Sequence, residues 1–123
     1  MVIFANLLIM AICGERYVRA THVIPAYGPR ETGTTSGIDV SLELVVHSYT
    51  IINAPTNGFT WVVTHGTSFN KDLWQLIIDE LLEQPQIRSR TTRILALDAA
   101  THGDSAVRNR FKLGEKGKAL VFD

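Results

Sequence analysis

The residues best placed to do chemistry are His65 and Gly66, set between Trp61-Val62-Val63-Thr64 and the segment opening Thr67-Ser68-Phe69. The four residues before them are largely apolar and read as a buried strand. The His-Gly pair breaks that strand, and an amphipathic stretch from Asn70 to Glu83 follows within a few residues. Such a turn leaves backbone N–H groups free at the C-terminal end of a strand and beside a helix N-terminus. N–H groups so placed can hold the negative charge that develops on a carbonyl oxygen during acyl transfer. A serine nucleophile would need the G-x-S-x-G context of a sharp strand-to-helix turn. None of Ser36, Ser41, Ser48, Ser68, Ser89 or Ser105 has it. Ser68 is explained as a helix cap. Ser105 lies so close in sequence to His102 and Asp104 that base, orienter and nucleophile cannot easily line up. No catalytic residue is assigned within the chain.

Other chemistries find less support. Gly114-Glu115-Lys116-Gly117-Lys118 has the look of a phosphate loop, but Lys112 stands where its first glycine should be and Ala119 where Ser or Thr should follow. A solvated basic turn suffices there. One cysteine, Cys13, excludes an internal disulfide framework and a thiolate metal site. His22, His47, His65 and His102 show no metal-ligand spacing, so neither a metal nor a cofactor is implied. Twelve acidic residues balance twelve basic ones, and no net field favours nucleic acid or an anionic membrane. Arg88, Arg90 and Arg93 cluster between a helix and a strand and read as a solvated loop.

The elements that must position His65 and Gly66 follow from pattern. A chain of 123 residues is about one domain, with an ordinary apolar fraction of 46%. Residues 25–39 carry Pro25, Gly28, Pro29, Gly33 and Gly37 and read as loop. The run from Leu42 through Ile52 alternates and is rich in β-branched residues, which predicts a half-buried strand. Asn53 to Gly58 breaks it, and Thr60–Thr64 is the next strand. Leu73, Trp74, Ile77, Ile78, Leu81 and Leu82 recur at helical spacing, with Ser68 or Asn70 as cap and Pro85 as stop. Ile94-Leu95-Ala96-Leu97 fits a short central strand covered on both faces. The intervening span is long enough for a crossover helix between parallel strands. The expected class is α/β: antiparallel edge strands leading into a β-α-β unit. Met1 to Cys13 is almost wholly apolar but too short to span a bilayer as a helix. Three readings of it compete: a weak secretory signal or anchor, a core element, and a mis-assigned start. The polar segment Glu15–Arg19 ends it, so residues 1–20 are set apart from a domain over 21–123.

A strand followed by His65-Gly66, a helix, and a second strand ending Asp98-x-x-x-His102-Gly103-Asp104-Ser105 resembles the N-terminal third of an α/β-hydrolase. His22-Val23-Ile24-Pro25 with Arg30-Glu31, Thr64-His65-Gly66, and Asp104-Ser105 with Lys112-Leu113-Gly114 are similar to fungal hydrolases of secondary-metabolite and host-selective-toxin clusters, including mycophenolic-acid-type acyl-CoA hydrolases. The likeness covers roughly residues 21 to 118. It implies that His65, Gly66 and Thr67 form the oxyanion turn, with the Thr67 N–H as one donor. It also implies that Asp98, His102, Gly103, Asp104 and Ser105 lie on the rim of the substrate pocket. The substrate would be a small-molecule ester or acyl-CoA thioester, and the compartment peroxisomal or cytoplasmic, although Val121-Phe122-Asp123 is not a peroxisomal address tripeptide. In that family the nucleophile, acid and catalytic histidine come later, so the chain is expected to be a truncated or fragmentary member, inactive alone. An open sheet edge beside Trp74, Ile78 and Leu82 would then be an association hazard. The alternative is a small non-catalytic chain that binds a partner through that edge.

Overall fold

The computed structural model describes residues 16–121 with their side chains and residues 11–13 as backbone. Among the described residues, five strands form one mixed sheet: β1 (Ala11–Cys13), β2 (Tyr17–Pro25), β3 (Glu43–Ile51), β4 (Phe59–Thr64) and β5 (Thr91–Leu97). Their order is β1-β2-β3-β5-β4. Neighbours are antiparallel except β4 and β5, which are parallel because a crossover joins them. That crossover is a 3-10 turn (Lys71–Leu73), α1 (Trp74–Glu83) and the short α2 (Pro85–Arg88). After β5 come α3 (Gly103–Asn109) and α4 (Glu115–Lys118). The apolar stripe of α1 lies on the sheet. Its Ile78 and Leu82 are fully buried against Tyr17, Tyr49, Ile51, Ile94 and Ala96, residues that alternate inward from β2, β3 and β5.

Several expectations need correction. From Tyr17 on, the segment expected to end the apolar stretch is instead the start of a nine-residue strand, Tyr17–Pro25, because it pairs residue by residue with β3. The Tyr17 hydroxyl donates to Asp79 Oδ1 at 2.8 Å, and the Arg19 guanidinium donates to Gln75 Oε1 at 3.2 Å. Thr60–Thr64 lies in β4, at the open edge of the sheet rather than in its interior, and Phe59, Trp61 and Val62 are exposed. The helix opens on a 3-10 turn capped by Asn70, whose Oδ1 accepts the Asp72 N–H at 3.0 Å. Ser68 is not the cap; it sits at φ +69° in the preceding turn. Pro85 starts a further helical turn at its first position, where its missing N–H costs nothing. β5 begins at Thr91 instead of Ile94 and occupies the sheet interior, as expected of that run. The apolar readings of the N-terminus fall largely on residues 1–10, outside the described residues. Among the described residues no helix is long and apolar enough to cross a membrane.

A short non-helical stretch, residues 98–102, separates β5 from α3. Gly103 starts α3 at φ +49°, and a side chain there would put its Cβ 2.7 Å from Asp98 Oδ2. The helix then substitutes for a strand beside the start of β3. Asn109 Oδ1 accepts the Glu43 N–H at 2.8 Å, while its Nδ2 donates to Glu43 O at 2.7 Å and to Ala100 O at 2.9 Å. Ser105 Oγ accepts the Val45 N–H at 2.8 Å and donates to Asp98 O at 3.2 Å. Both side chains are fully buried. Asn109→Ala therefore orphans three backbone groups and is expected to cost about 2–4 kcal/mol in urea unfolding. The exposed control Val107→Ala should stay within about 0.5 kcal/mol. Equal effects of the two would show that these bonds carry no weight.

Candidate functional site

β4 and β5 run parallel and finish together, with Thr64 opposite Leu97, so residues 65–73 and 98–104 leave the sheet side by side. The Phe69 N–H donates to Gly66 O at 3.1 Å and closes a β-turn over Gly66–Phe69. Ser68, its third residue, has the positive φ that a type II turn requires. The Ala99 N–H donates to His65 Nε2 at 3.0 Å, which leaves the ring proton on Nδ1. Nδ1–H then donates to Gly66 O at 2.8 Å. Two donors thus fix the direction of the Gly66 carbonyl. The Gly66–Thr67 peptide is trans and planar, so the Thr67 N–H points the opposite way. Thr67 is exposed, and its N–H has no acceptor among the described residues.

Beneath the turn lies a buried ionic cluster. Asp98 Oδ1 accepts the Lys71 backbone N–H at 2.7 Å, and Asp98 Oδ2 accepts the Asp104 N–H at 3.0 Å. The Lys71 ammonium donates to Asp98 Oδ2 at 3.0 Å and to Asp104 Oδ2 at 2.5 Å. Lys71 and Asp98 are both fully buried. Burial by itself would lower the Lys71 pKa, but the hydrogen bonds to Asp104 and Asp98, with the charges of Asp98 and Asp72, outweigh it and the net shift is upward. Of the residues singled out in the sequence, His65, Gly66 and Thr67 share one turn. Asp98, His102, Gly103, Asp104 and Ser105 gather in the adjoining segment. Asp98 and Ser105 are enclosed, and His102 is 8% exposed.

The sequence reading missed Lys71 and Asn109. Lys71 did leave a trace, since a lysine in the first turn of a helix opposes the macrodipole and so points to another use for its charge. Asn109 left none.

No family model matches the chain. The peroxisomal membrane protein LPX1 of Saccharomyces cerevisiae is 30% identical over 106 residues, covering 81% of this chain and 27% of its own length. The type I acyl-CoA thioesterase mpaH of Penicillium brevicompactum is also 30% identical over 106 residues, covering 80% and 24%. The solved peroxisomal alpha-beta-hydrolase Lpx1 of Saccharomyces cerevisiae superposes with a TM-score of 0.67 at 29% identity, over 80% of this chain and 28% of that one. This chain is a relative of the α/β-hydrolases. It spans about a quarter of the length of the curated relatives it matches.

Two further histidines shape the electrostatics of this hydrolase-like sheet end. His47, buried on β3, has its pKa lowered by burial first and then by the Lys71 charge, with Asp72 opposing; its Nδ1 lies 3.5 Å from Asp72 Oδ1. His102 is lowered by burial and then by His65, with Asp98 opposing. Among the described residues no group of three or more His, Cys, Asp or Glu side chains could hold a metal ion.

Removing either member of the buried pair strands the other. Lys71→Met or Asp98→Asn is expected to cost about 3–5 kcal/mol of stability. The double variant should cost less than the sum, read as a coupling energy in a double-mutant cycle. Strict additivity would show that the pair acts as two independent groups.

A ring whose pKa is lowered on folding takes up its proton first in the unfolded chain as pH falls. The stabilisation from keeping His47 and His102 neutral is therefore full above the ordinary histidine value of 6.5 and drains away as pH drops through the folded values. Urea midpoints should fall from about pH 7.5 to about pH 5, with a shallower slope in His47→Gln. A slope unchanged by that substitution would remove His47 from the account.

Proposed function

We propose that this chain forms the N-terminal, oxyanion-binding part of an α/β-hydrolase that cleaves a small-molecule ester or acyl-CoA thioester. The observation that carries the reading is the Thr67 N–H, turned outward by the two bonds on Gly66 O and left without an acceptor among the described residues. When a nucleophile adds to the substrate carbonyl, its oxygen gains negative charge and this N–H donates to it. Residues 99–104 run beside the turn as the pocket rim, with Asp98 and Ser105 supporting them from below. Acyl-CoA is the favoured substrate class because one relative is a type I acyl-CoA thioesterase. A place in fungal secondary-metabolite or toxin synthesis and a peroxisomal location go with that class and with the peroxisomal relative.

The nucleophile, acid and base would come from sequence C-terminal to Asp123. Two observations favour this: the chain covers only about a quarter of its relatives, and the β4 edge presents Phe59, Trp61 and Val62 uncovered, as a strand awaiting a neighbour does. The same edge favours the second reading, a non-catalytic chain that binds a partner.

Thiol release from acyl-CoA and p-nitrophenyl ester hydrolysis would be measured for this chain and for a form extended by the downstream coding sequence. Turnover is expected in the extended form alone. Thr67→Pro deletes the N–H at the second turn position, where proline is well tolerated, and should lower kcat of the extended form by about 10²–10³-fold. Full activity in the 123-residue chain, or a fully active Thr67→Pro form, contradicts the assignment. A defined complex with a partner and no turnover in either form would favour the binding reading.

A further inference from the structure

We propose, resting on the hydrolase reading, that His102 is a positioning residue for the Thr67 amide: through its contact with His65 it keeps that ring seated, so the amide is presented only while the His102 ring is uncharged.

The two histidines and Ala99 form a closed circuit. The Ala99 N–H donates to His65 Nε2 at 3.0 Å, and the His102 N–H donates to Ala99 O at 3.0 Å. The circuit closes through space, with the ring centroids 4.8 Å apart and the planes tilted by 44°. His102 is itself anchored: its carbonyl accepts the Ala106 N–H at 3.0 Å as α3 begins, and its Nδ1 lies 3.1 Å from Thr101 Oγ1. The buried His102 ring therefore forms a wall against which His65 rests. His65 in turn sets the Gly66 carbonyl and hence the direction of the Thr67 N–H.

Protonation of His102 undoes this arrangement, because it sets a positive charge against the neighbouring ring in a buried place. Asp98, leaving β5, is the carboxylate bearing on His102, and it is already engaged by the Lys71 ammonium and two backbone N–H groups. Lys71 and Asp72 on the 3-10 turn and Asp104 on α3 bear instead on His47 of β3. The Asp98 charge favours a proton on His102, but burial and the neighbouring His65 outweigh it.

The first test uses ¹H–¹⁵N spectra of the 123-residue chain titrated from about pH 8 to about pH 5, with circular dichroism to confirm that it stays folded. The Ala99 and Thr67 amides are expected to move together as the His102 ring takes up its proton, and that shared step is expected to vanish in His102→Gln. The second uses the extended, active form, in which His102→Gln should lower kcat about tenfold, leave KM unchanged and shift the acid limb of the pH profile. If His102→Gln fails to fold, Thr101→Ala, which removes only the hydroxyl contact, should shift the profile the same way by less. Amides indifferent to the ring titration, or a variant whose pH profile overlays the parent, would overturn the assignment. Activity in the extended form with an unshifted profile removes this inference and leaves the hydrolase reading. Coupled amide shifts without activity in any form remove the hydrolase reading and leave the histidine linkage.

Discussion

The buried pair of Lys71 and Asp98 is the constraint on which the sheet end depends. An isolated charge inside a protein is expensive, and a buried pair is tolerable only when nearly every hydrogen-bonding position on it is filled. The Asp98 carboxylate accepts two backbone N–H groups and the ammonium, and the ammonium reaches a second carboxylate on Asp104. Those groups come from two stretches of chain far apart in sequence, the start of the crossover helix and the exit from β5. Filling the cluster therefore welds the two together. Each partner holds the other in place because neither can be left alone.

From that weld the rest of the arrangement follows in short steps. With residues 70–73 and 98–104 held side by side, the Ala99 N–H comes within reach of His65, and the His65 ring reaches back to Gly66 O. A planar peptide transmits that orientation to Thr67 without any further contact. On the other side, α3 fills the gap beside β3, with Ser105 and Asn109 supplying donors and acceptors that a strand would otherwise provide. The His-Gly-Asp-Ser motif is thus largely architectural in its acid and its serine. Its histidine is the member that touches the turn.

The uncovered edge of β4 gives the molecule a second character. A parallel strand with exposed Phe59, Trp61 and Val62 is an unusual boundary for a sheet, since its N–H and C=O groups are a template for pairing. Part of the crossover is also uncovered, at Leu73 and Leu76. β4 runs directly into the His65-Gly66 turn and Leu73 follows it within a few residues, so whatever pairs there would lie close to the proposed reacting atoms.

The sequence by itself determined the class of fold, the crossover between parallel strands and the His-Gly turn, because each is written in local pattern. An apolar stripe at helical spacing, a break at glycine and a short β-branched run need no distant partner to be read. Tertiary structure decided the rest. Tyr17–Pro25 became a strand because it pairs along its length with β3, and its Tyr17 and Arg19 reach acceptors on α1, which nothing near them in sequence foretells. Trp61 to Thr64 has the composition of an interior strand, yet whether a strand is interior depends on its neighbours in the sheet. Asp98, Ser105 and Asn109 are polar residues whose burial no local pattern foretells. They went inside because the buried ammonium of Lys71 and the open backbone of β3 could be satisfied only by side chains brought from elsewhere in the chain.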